Sequence, residues 1–345
     1  MIRVGIIGCG SITKLRHAPE YTSNADSEIA GFFDPIKERA QQMADRFGGK
    51  VYETYESILE DSEIDAVSVC SSNSTHAQIT IAAFQAGKHV LCEKPMATSV
   101  EDAVKMNEVA KAAGKYLMIG HNQRLADAHK KAKDILLSGE LGKIISFKSS
   151  FGHKGPETWS ADKSAKTWFF NKKDAIMGAM GDLGIHKADL IRWIIGDEIE
   201  EVTAVVTTLD KRGHTGELIE VDDNAFCILR SKAGIIGTLT ASWTNYGDEE
   251  NSTILFCSNG VMKIYSNPDF PIEIVKKNGE KAFYKVGGVQ TNDNQTNSGI
   301  IDLFIASIVN KVPPEISGEE GLAALRIIFA CFESSVAGKT VRISN

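Results

Sequence analysis

Short apolar runs and longer amphipathic stretches alternate along the first third of the chain. Residues 4–7, 28–33, 66–70, 89–92 and 116–119 are rich in β-branched and aliphatic side chains, the pattern of strands covered on both faces. Between them stand helix signals. Asp34-Pro35 reads as an N-cap followed by proline at the first helical position, and Ser99-Val100-Glu101-Asp102 reads as an acidic variant of the capping box, with Gly114 as the stop. A repeated strand-helix-strand pattern predicts a parallel, doubly wound sheet.

After one more amphipathic helix, over residues 126–137, the period changes to two from about Lys143. Segments 202–208, 224–230, 235–243, 253–257 and 261–265 predict a half-exposed antiparallel sheet. A helix over 180–195 interrupts it, with Leu183, Leu190, Ile191 and Ile194 on one side, and helices over 300–309 and 321–336 follow, separated by Pro313-Pro314. The polar stretch 290–298 is expected to be a mobile loop.

Composition narrows the class. The chain has 345 residues and a net charge of −7, which suggests two domains and argues against a nucleic-acid partner. No run approaches the roughly 18 apolar residues of a membrane span, and Met1-Ile2-Arg3-Val4-Gly5 leads straight into a strand, so the expectation is a cytoplasmic globular protein. Cys9, Cys70, Cys92, Cys227, Cys257 and Cys331 are scattered, mostly within apolar runs, and read as reduced and structural.

The first strand runs into Gly8-Cys9-Gly10-Ser11-Ile12-Thr13, a G-x-G-x-x-T loop that opens a helix. Gly8 permits the tight turn, Gly10 lets main-chain N–H groups reach a pyrophosphate, and the helix N-terminus adds partial positive charge. Thr13 stands where the fingerprint wants Gly or Ala. Asp34 ends the second strand near the spacing of a ribose-binding acid, which would favour NAD over NADP; it also reads as the cap of the next helix, and the two roles can coexist. Ser71-Ser72-Asn73-Ser74-Thr75-His76 and Glu93-Lys94-Pro95 lie at the carboxyl ends of later strands, where ligands of such sheets sit. Lys94 is thus a catalytic candidate, although a lysine before proline is also the pattern of a solvated loop charge. Asp182 and His186 are four apart on a helix, so a carboxylate can orient and support an imidazole base; the same pair also describes a buried, hydrogen-bonded histidine. With no third His or Cys nearby, a metal site is not expected.

As a set, G-C-G-S-I near the start, S-S-N-S-T-H, C-E-K-P, G-H-N-Q-R and G-D-L-G-I-H-K-A-D-L-I-R-W-I-I-G-D resemble the glucose-fructose oxidoreductase and inositol dehydrogenase family, written Gfo/Idh/MocA. The resemblance runs from residue 2 to about 335. It implies an α/β protein with a Rossmann domain over residues 1–122 and, over 123–345, a substrate-binding and oligomerisation domain with a large, mostly antiparallel open sheet. It implies Lys94, Asp182 and His186 as the catalytic group, Gly8, Gly10, Ser11 and Ile12 at the pyrophosphate, and Asp34 at the adenosine ribose. Ser71, Ser72, Asn73, His76, Glu93 and Lys94 would hold the rest of the dinucleotide, and Asn122 and Arg124 would line the substrate side together with Asp182 and His186. Two departures stand out: Ser72 replaces a common proline, and Ile176-Met177-Gly178 replaces a glycine-rich triplet, which alters the expected pocket wall.

The implied function is NAD(P)-dependent hydride transfer at a secondary hydroxyl of a sugar, inositol or related polyol. The same resemblance also admits transient redox, as in epimerases or NAD-dependent glycosidases, and a non-catalytic NAD-binding sensor. A homodimer or homotetramer is expected from the open sheet. His153, Asp162, Lys166 and Asn171 are polar candidates before the catalytic helix and are expected at the surface, while Trp159, Trp168, Phe169 and Phe170 could stack on a sugar face but, at this density of aromatic residues, are expected in the core.

Overall fold

The computed structural model describes residues 1–288 and 297–344, so most of the stretch expected as a mobile loop, 290–296, lies outside the described residues. Two compact units form. The first comprises Met1–Asn122, Trp159–Ile176 and Asn292–Ala323, and the second Gln123–Thr158, Met177–Thr291 and Ala324–Asn345.

Among the described residues, the first unit holds a six-stranded sheet of β1 (Ile2–Ile7), β2 (Ser27–Phe33), β3 (Lys50–Val51), β4 (Ala66–Val69), β5 (His89–Cys92) and β6 (Leu117–Ile119). All pairs are parallel, in the order β3-β2-β1-β4-β5-β6. The expected apolar runs are strands because helices cover both faces; every residue of β4 is buried. The chain winds outward from β1 to β3, then returns to the other side of β1 at β4. The carboxyl ends of β1 and β4 therefore flank the point where the order reverses, and a crevice is expected there. β3 was not anticipated because Lys50-Val51 carries no apolar run.

The cap at Ser99 is present: its Oγ accepts from Asp102 N at 3.0 Å, and Gly114 ends the helix Val100–Ala113 in left-handed backbone, φ 62°. The cap expected at Asp34-Pro35 is not. That helix spans Lys37–Phe47 with Ile36 as N-cap, because the Asp34 carboxylate is bonded elsewhere, to Cys9 N and Ile36 N at 2.8 Å each.

The second unit carries β7 (Ile144–Gly152), β8 (Ile199–Thr207), β9 (Asn224–Ser231), β10 (Ile236–Ser242), β11 (Thr253–Cys257), β12 (Gly260–Ile264), β13 (Ile272–Lys276), β14 (Lys281–Tyr284) and β15 (Val341–Arg342). Among the described residues these make one nine-stranded sheet, antiparallel except where β7 pairs with β10. Period two is plain in β9, where buried and exposed residues alternate. One face packs on the helix that carries Asp182 and His186.

That helix differs from the expectation of a single apolar side. It begins with a π-helical turn, Met180–Gly184, and continues as Ile185–Ile195, with nearly every residue buried, including Lys187, Asp189 and Arg192. Polar residues tolerate this depth by pairing: Arg192 with Glu198 at 2.6 Å and Asp189 with Arg124 at 2.6 Å. All six cysteines are free and buried. Among the described residues no helix is long and apolar enough to cross a membrane.

Ile176, one of the departures from the glycine-rich triplet, sits at φ 63°, ψ −45°. This is the rare, strained γ-turn region, and a β-branched residue is disfavoured there. The side chain is 36% exposed, so partial burial offsets part of the strain. Ile176→Gly relieves about 1 to 3 kcal/mol of strain while losing side-chain burial and adding unfolded-chain freedom of similar total size, so the unfolding free energy is expected to stay within about 1 kcal/mol of wild type. Urea denaturation checks this, and a loss of about 2 kcal/mol or more would show that the strain is absent.

Candidate active site

Gly8 adopts φ 97°, and a Cβ there would lie 2.5 Å from the main chain of Cys70, so the loops after β1 and β4 approach too closely for any side chain. Gly10 is different. Its backbone is not left-handed, and an added Cβ would meet no atom within 4 Å, so neither conformation nor protein packing demands glycine. The open cradle fits a ligand lying against the main chain, and the helix that starts at Ser11 directs N–H groups toward it. Thr13 does what Gly or Ala cannot: its buried hydroxyl donates to Gly8 O at 2.6 Å, tying the first helical turn to the loop. Ser11 and Ile12 are half-buried beside it. Asp34 is half-exposed; each carboxylate oxygen takes one main-chain N–H and keeps a second acceptor position, which fits a ribose diol. These residues fit a dinucleotide.

The loops after β4 and β5 are bound to each other. The His76 ring is buried, with Nδ1 2.8 Å from Pro95 O and Nε2 3.0 Å from Ser71 O, so it ties the two loops rather than presenting a nitrogen to solvent. The Ser71 hydroxyl accepts from Thr75 Oγ1 at 2.7 Å, Ser72 is half-exposed, and Asn73 Nδ2 donates to Ala175 O at 3.1 Å. Lys94 is half-exposed at the carboxyl end of β5, joined to Pro95 by a cis peptide.

Glu93 is buried beneath Lys94. Its carboxylate accepts from His17 Nε2 at 2.9 Å and from Lys94 N at 3.2 Å, and Arg16 Nη1 stands 3.7 Å away. The far nitrogen of His17 is 3.1 Å from Ser68 Oγ, which is 2.7 Å from Tyr21 OH. Burial alone would raise the Glu93 pKa; the His17 hydrogen bond and charge, with Arg16 and Lys94, bring it down to about 2. The geometry makes Glu93 a support for Lys94 and for the helix after the glycine loop.

In the second unit Asp182 and His186 lie in the same buried region. Trp243 Nε1 donates to Asp182 Oδ2 at 3.1 Å, and His153 Nε2 is 3.8 Å from the same oxygen. The Phe151 ring stands 6.0 Å from the rings of both His153 and His186. The helix is pinned at its start by Asp222, which accepts from Gly178 N and Met180 N at 2.7 Å each, while Ala179 N reaches Asp222 O at 2.8 Å. Burial pushes the Asp222 carboxyl up to about 6, against the pull of those N–H bonds. Farther along, Arg124 forms a two-pronged pair with Asp189, Nε to Oδ2 at 2.8 Å and Nη2 to Oδ1 at 2.6 Å, both side chains buried. Asn122 is buried in the turn after β6.

Asp162, Lys166 and Asn171 are exposed as expected, but His153 is not; it is 6% exposed because β7 carries it inward beside Asp182. Of the aromatic residues expected in the core only Phe170 is fully buried. Trp159, Trp168 and Phe169 form a half-exposed cluster in which Trp168 stacks on Phe169 with centroids 3.9 Å apart and Trp159 meets Phe169 edge-on at 5.0 Å. Asp189, Asp222 and Trp243 were not anticipated. Asp222 had a signal, the pair Asp222-Asp223 just before an alternating strand, where two adjacent carboxylates call for N–H partners. Trp243, at the end of β10, had none.

Residues 2–121 match the family described as oxidoreductase family, NAD-binding Rossmann fold, and residues 129–263 match the GFO/IDH/MocA C-terminal domain. Among curated relatives, the myo-inositol 2-dehydrogenase of Thermotoga maritima is 27% identical over 345 residues, spanning 99% of this chain and 98% of its own. The levoglucosan dehydrogenase of Pseudarthrobacter phenanthrenivorans is 32% identical over 291 residues, 75% of this chain and 71% of its own. A levoglucosan dehydrogenase solved with NADH and levoglucosan shares the fold, with a TM-score of 0.88 at 24% identity and 100% of both chains covered.

The Glu93 network has a pH signature. Its carboxyl titrates at about 2 in the fold against 4.5 when unperturbed, so folding favours the ionised form. That stabilisation, on the order of 3 kcal/mol, is complete above pH 4.5 and is lost as pH falls toward 2. Glu93→Gln is expected to lower stability at pH 7 by about 3 to 5 kcal/mol, because Arg16 and His17 lose their anion, and to flatten the acid limb. Urea unfolding between pH 3 and 7 reads both effects; an unchanged limb would place the titration elsewhere.

Proposed function

Because this chain belongs to the GFO/IDH/MocA oxidoreductase family, we propose that it is an NAD-dependent dehydrogenase acting on a secondary hydroxyl of a sugar, an inositol or a related polyol. The observation that carries this reading is the open cradle at Gly10, at the reversal point of a parallel sheet, in a chain that also holds Asp182 and His186 buried on one helix. When bound, NAD supplies the hydride acceptor. Gly8, Gly10, Ser11 and Ile12 hold the pyrophosphate, Asp34 takes the adenosine ribose hydroxyls, and Ser71, Ser72 and Asn73 line the path to the nicotinamide. His76 and Glu93 position that path from beneath.

His186 takes the hydroxyl proton as general base. Asp182, with one oxygen already fixed by Trp243, supports the imidazolium that results. The Lys94 ammonium hydrogen-bonds the reacting oxygen and stabilises its developing negative charge. Asn122 stands on the substrate side. Arg124, whose charge is met by Asp189, contributes by holding the helix that carries His186.

The names of the relatives support a polyhydroxylated ring as the substrate. We read the protein as cytoplasmic, which the six free thiols support, and as a homo-oligomer. On β8 and β9, Val205, Phe226 and Ile228 are each more than half exposed and adjacent across the pair Val205↔Phe226, an apolar patch that a second copy would cover.

Absorbance of reduced nicotinamide during incubation with NAD and a panel of inositols, aldoses and anhydro sugars tests the function. Turnover is expected, and Lys94→Ala is expected to lose at least about a hundredfold in kcat with the fold intact. Full activity in that variant would remove Lys94 from the chemistry; tight NAD binding without turnover on any substrate would favour transient redox. For assembly, Phe226→Glu with Ile228→Glu is expected to shift sedimentation to the monomer, and an unchanged oligomer would place the interface elsewhere.

A further inference from the structure

The segment Trp159–Ile176 belongs to the first unit although β7 of the second unit precedes it. It meets three parts of the dinucleotide rim proposed above. Ser11 Oγ, after the glycine loop, donates to Trp159 O at 3.2 Å; Arg39 Nη2 pairs with Asp162 Oδ1 at 2.5 Å; and Asn73 Nδ2, after β4, donates to Ala175 O at 3.1 Å. The segment is a strap along the carboxyl edge of the sheet.

The middle contact bears on selectivity. Arg39 lies in the first turn of the helix Lys37–Phe47, just past Asp34. Both charges reach the same place: the Cys9 thiol, pushed up mainly by burial, is pushed further by Asp34 and pulled back by Arg39. A carboxylate here suits a ribose 2′-hydroxyl, and a free guanidinium here suits a 2′-phosphate. This chain has both groups. What decides between them is whether the guanidinium is available, and the strap engages it. Of the other cations on this rim, Lys37 is paired with Glu53 at 2.5 Å and Lys14 is exposed on the helix after the loop.

We infer that Asp162 is a specificity-determining residue: by holding Arg39, it denies an adenosine 2′-phosphate its cationic partner. Preference for NAD is thus set partly from a segment far along the chain from the glycine loop. The inference rests on the NAD-dependent reading above. The pair is partly exposed, 27% at Arg39 and 40% at Asp162, so it contributes little to stability and its loss leaves the fold standing.

The test is calorimetric binding of 5′-ADP, 2′,5′-ADP, NAD and NADP to the full-length protein, comparing wild type, Asp162→Asn, Arg39→Ala and the double variant. Asp162→Asn is expected to lower the ratio of Kd for 2′,5′-ADP to Kd for 5′-ADP about tenfold, with the same trend for NADP over NAD, and the gain should shrink at high salt. The double variant is expected to return the ratio to the wild-type value. A ratio indifferent to Asp162, or a gain that survives loss of Arg39, overturns the inference while NAD binding stands. Wild-type protein that binds neither NAD nor 5′-ADP overturns the cofactor reading itself, and the inference with it.

Discussion

A single buried anion organises the first unit. Glu93 sits at the carboxyl end of β5 with almost no access to water, and a charge at that depth exists only if protein groups replace its hydration. It collects His17 and Arg16 from the helix after the glycine loop and the main-chain N–H of Lys94. Those contacts lie on different elements, so the requirement that one carboxylate be satisfied sets the register between β5 and the first helix. Gly120 reflects the same constraint: a Cβ there would press against the Glu93 carboxyl at 3.0 Å.

The second unit follows the same rule with other carboxylates. Asp222 closes the start of the helix that carries Asp182 and His186, and Asp189, three residues beyond His186, draws in Arg124. Asp223, beside Asp222, gathers the N–H groups of Leu209, Asp210 and Lys211 at 2.8 Å each. Asp182 differs from these anchors. Its carboxylate accepts from the Trp243 indole and stands near the His153 ring, partners that are side chains far along the chain.

The parallel sheet was legible because its strands are buried on both faces, and the second sheet because β10 alternates throughout and β9 from its second residue on. Short edge strands such as β3 and β15 carry too few residues for a period to be seen. The glycine loop, Lys94, Asp182 and His186 could be named from the chain because each sits in a local motif. Their supports could not. Asp189 meets Arg124 across 65 residues and Trp243 meets Asp182 across 61, and long-range pairing leaves no local pattern. The failed cap at Asp34 has the same origin, since the carboxylate was drawn to Cys9, 25 residues earlier.

Cys9 occupies the middle of the glycine loop, buried and beside Asp34. Burial pushes its thiol up to about 12, so the thiolate is strongly disfavoured at neutral pH. Peroxides and electrophiles react with the thiolate, not the thiol. The sulfur at the centre of the loop is thus held in its less reactive form by the same close packing that shapes the turn.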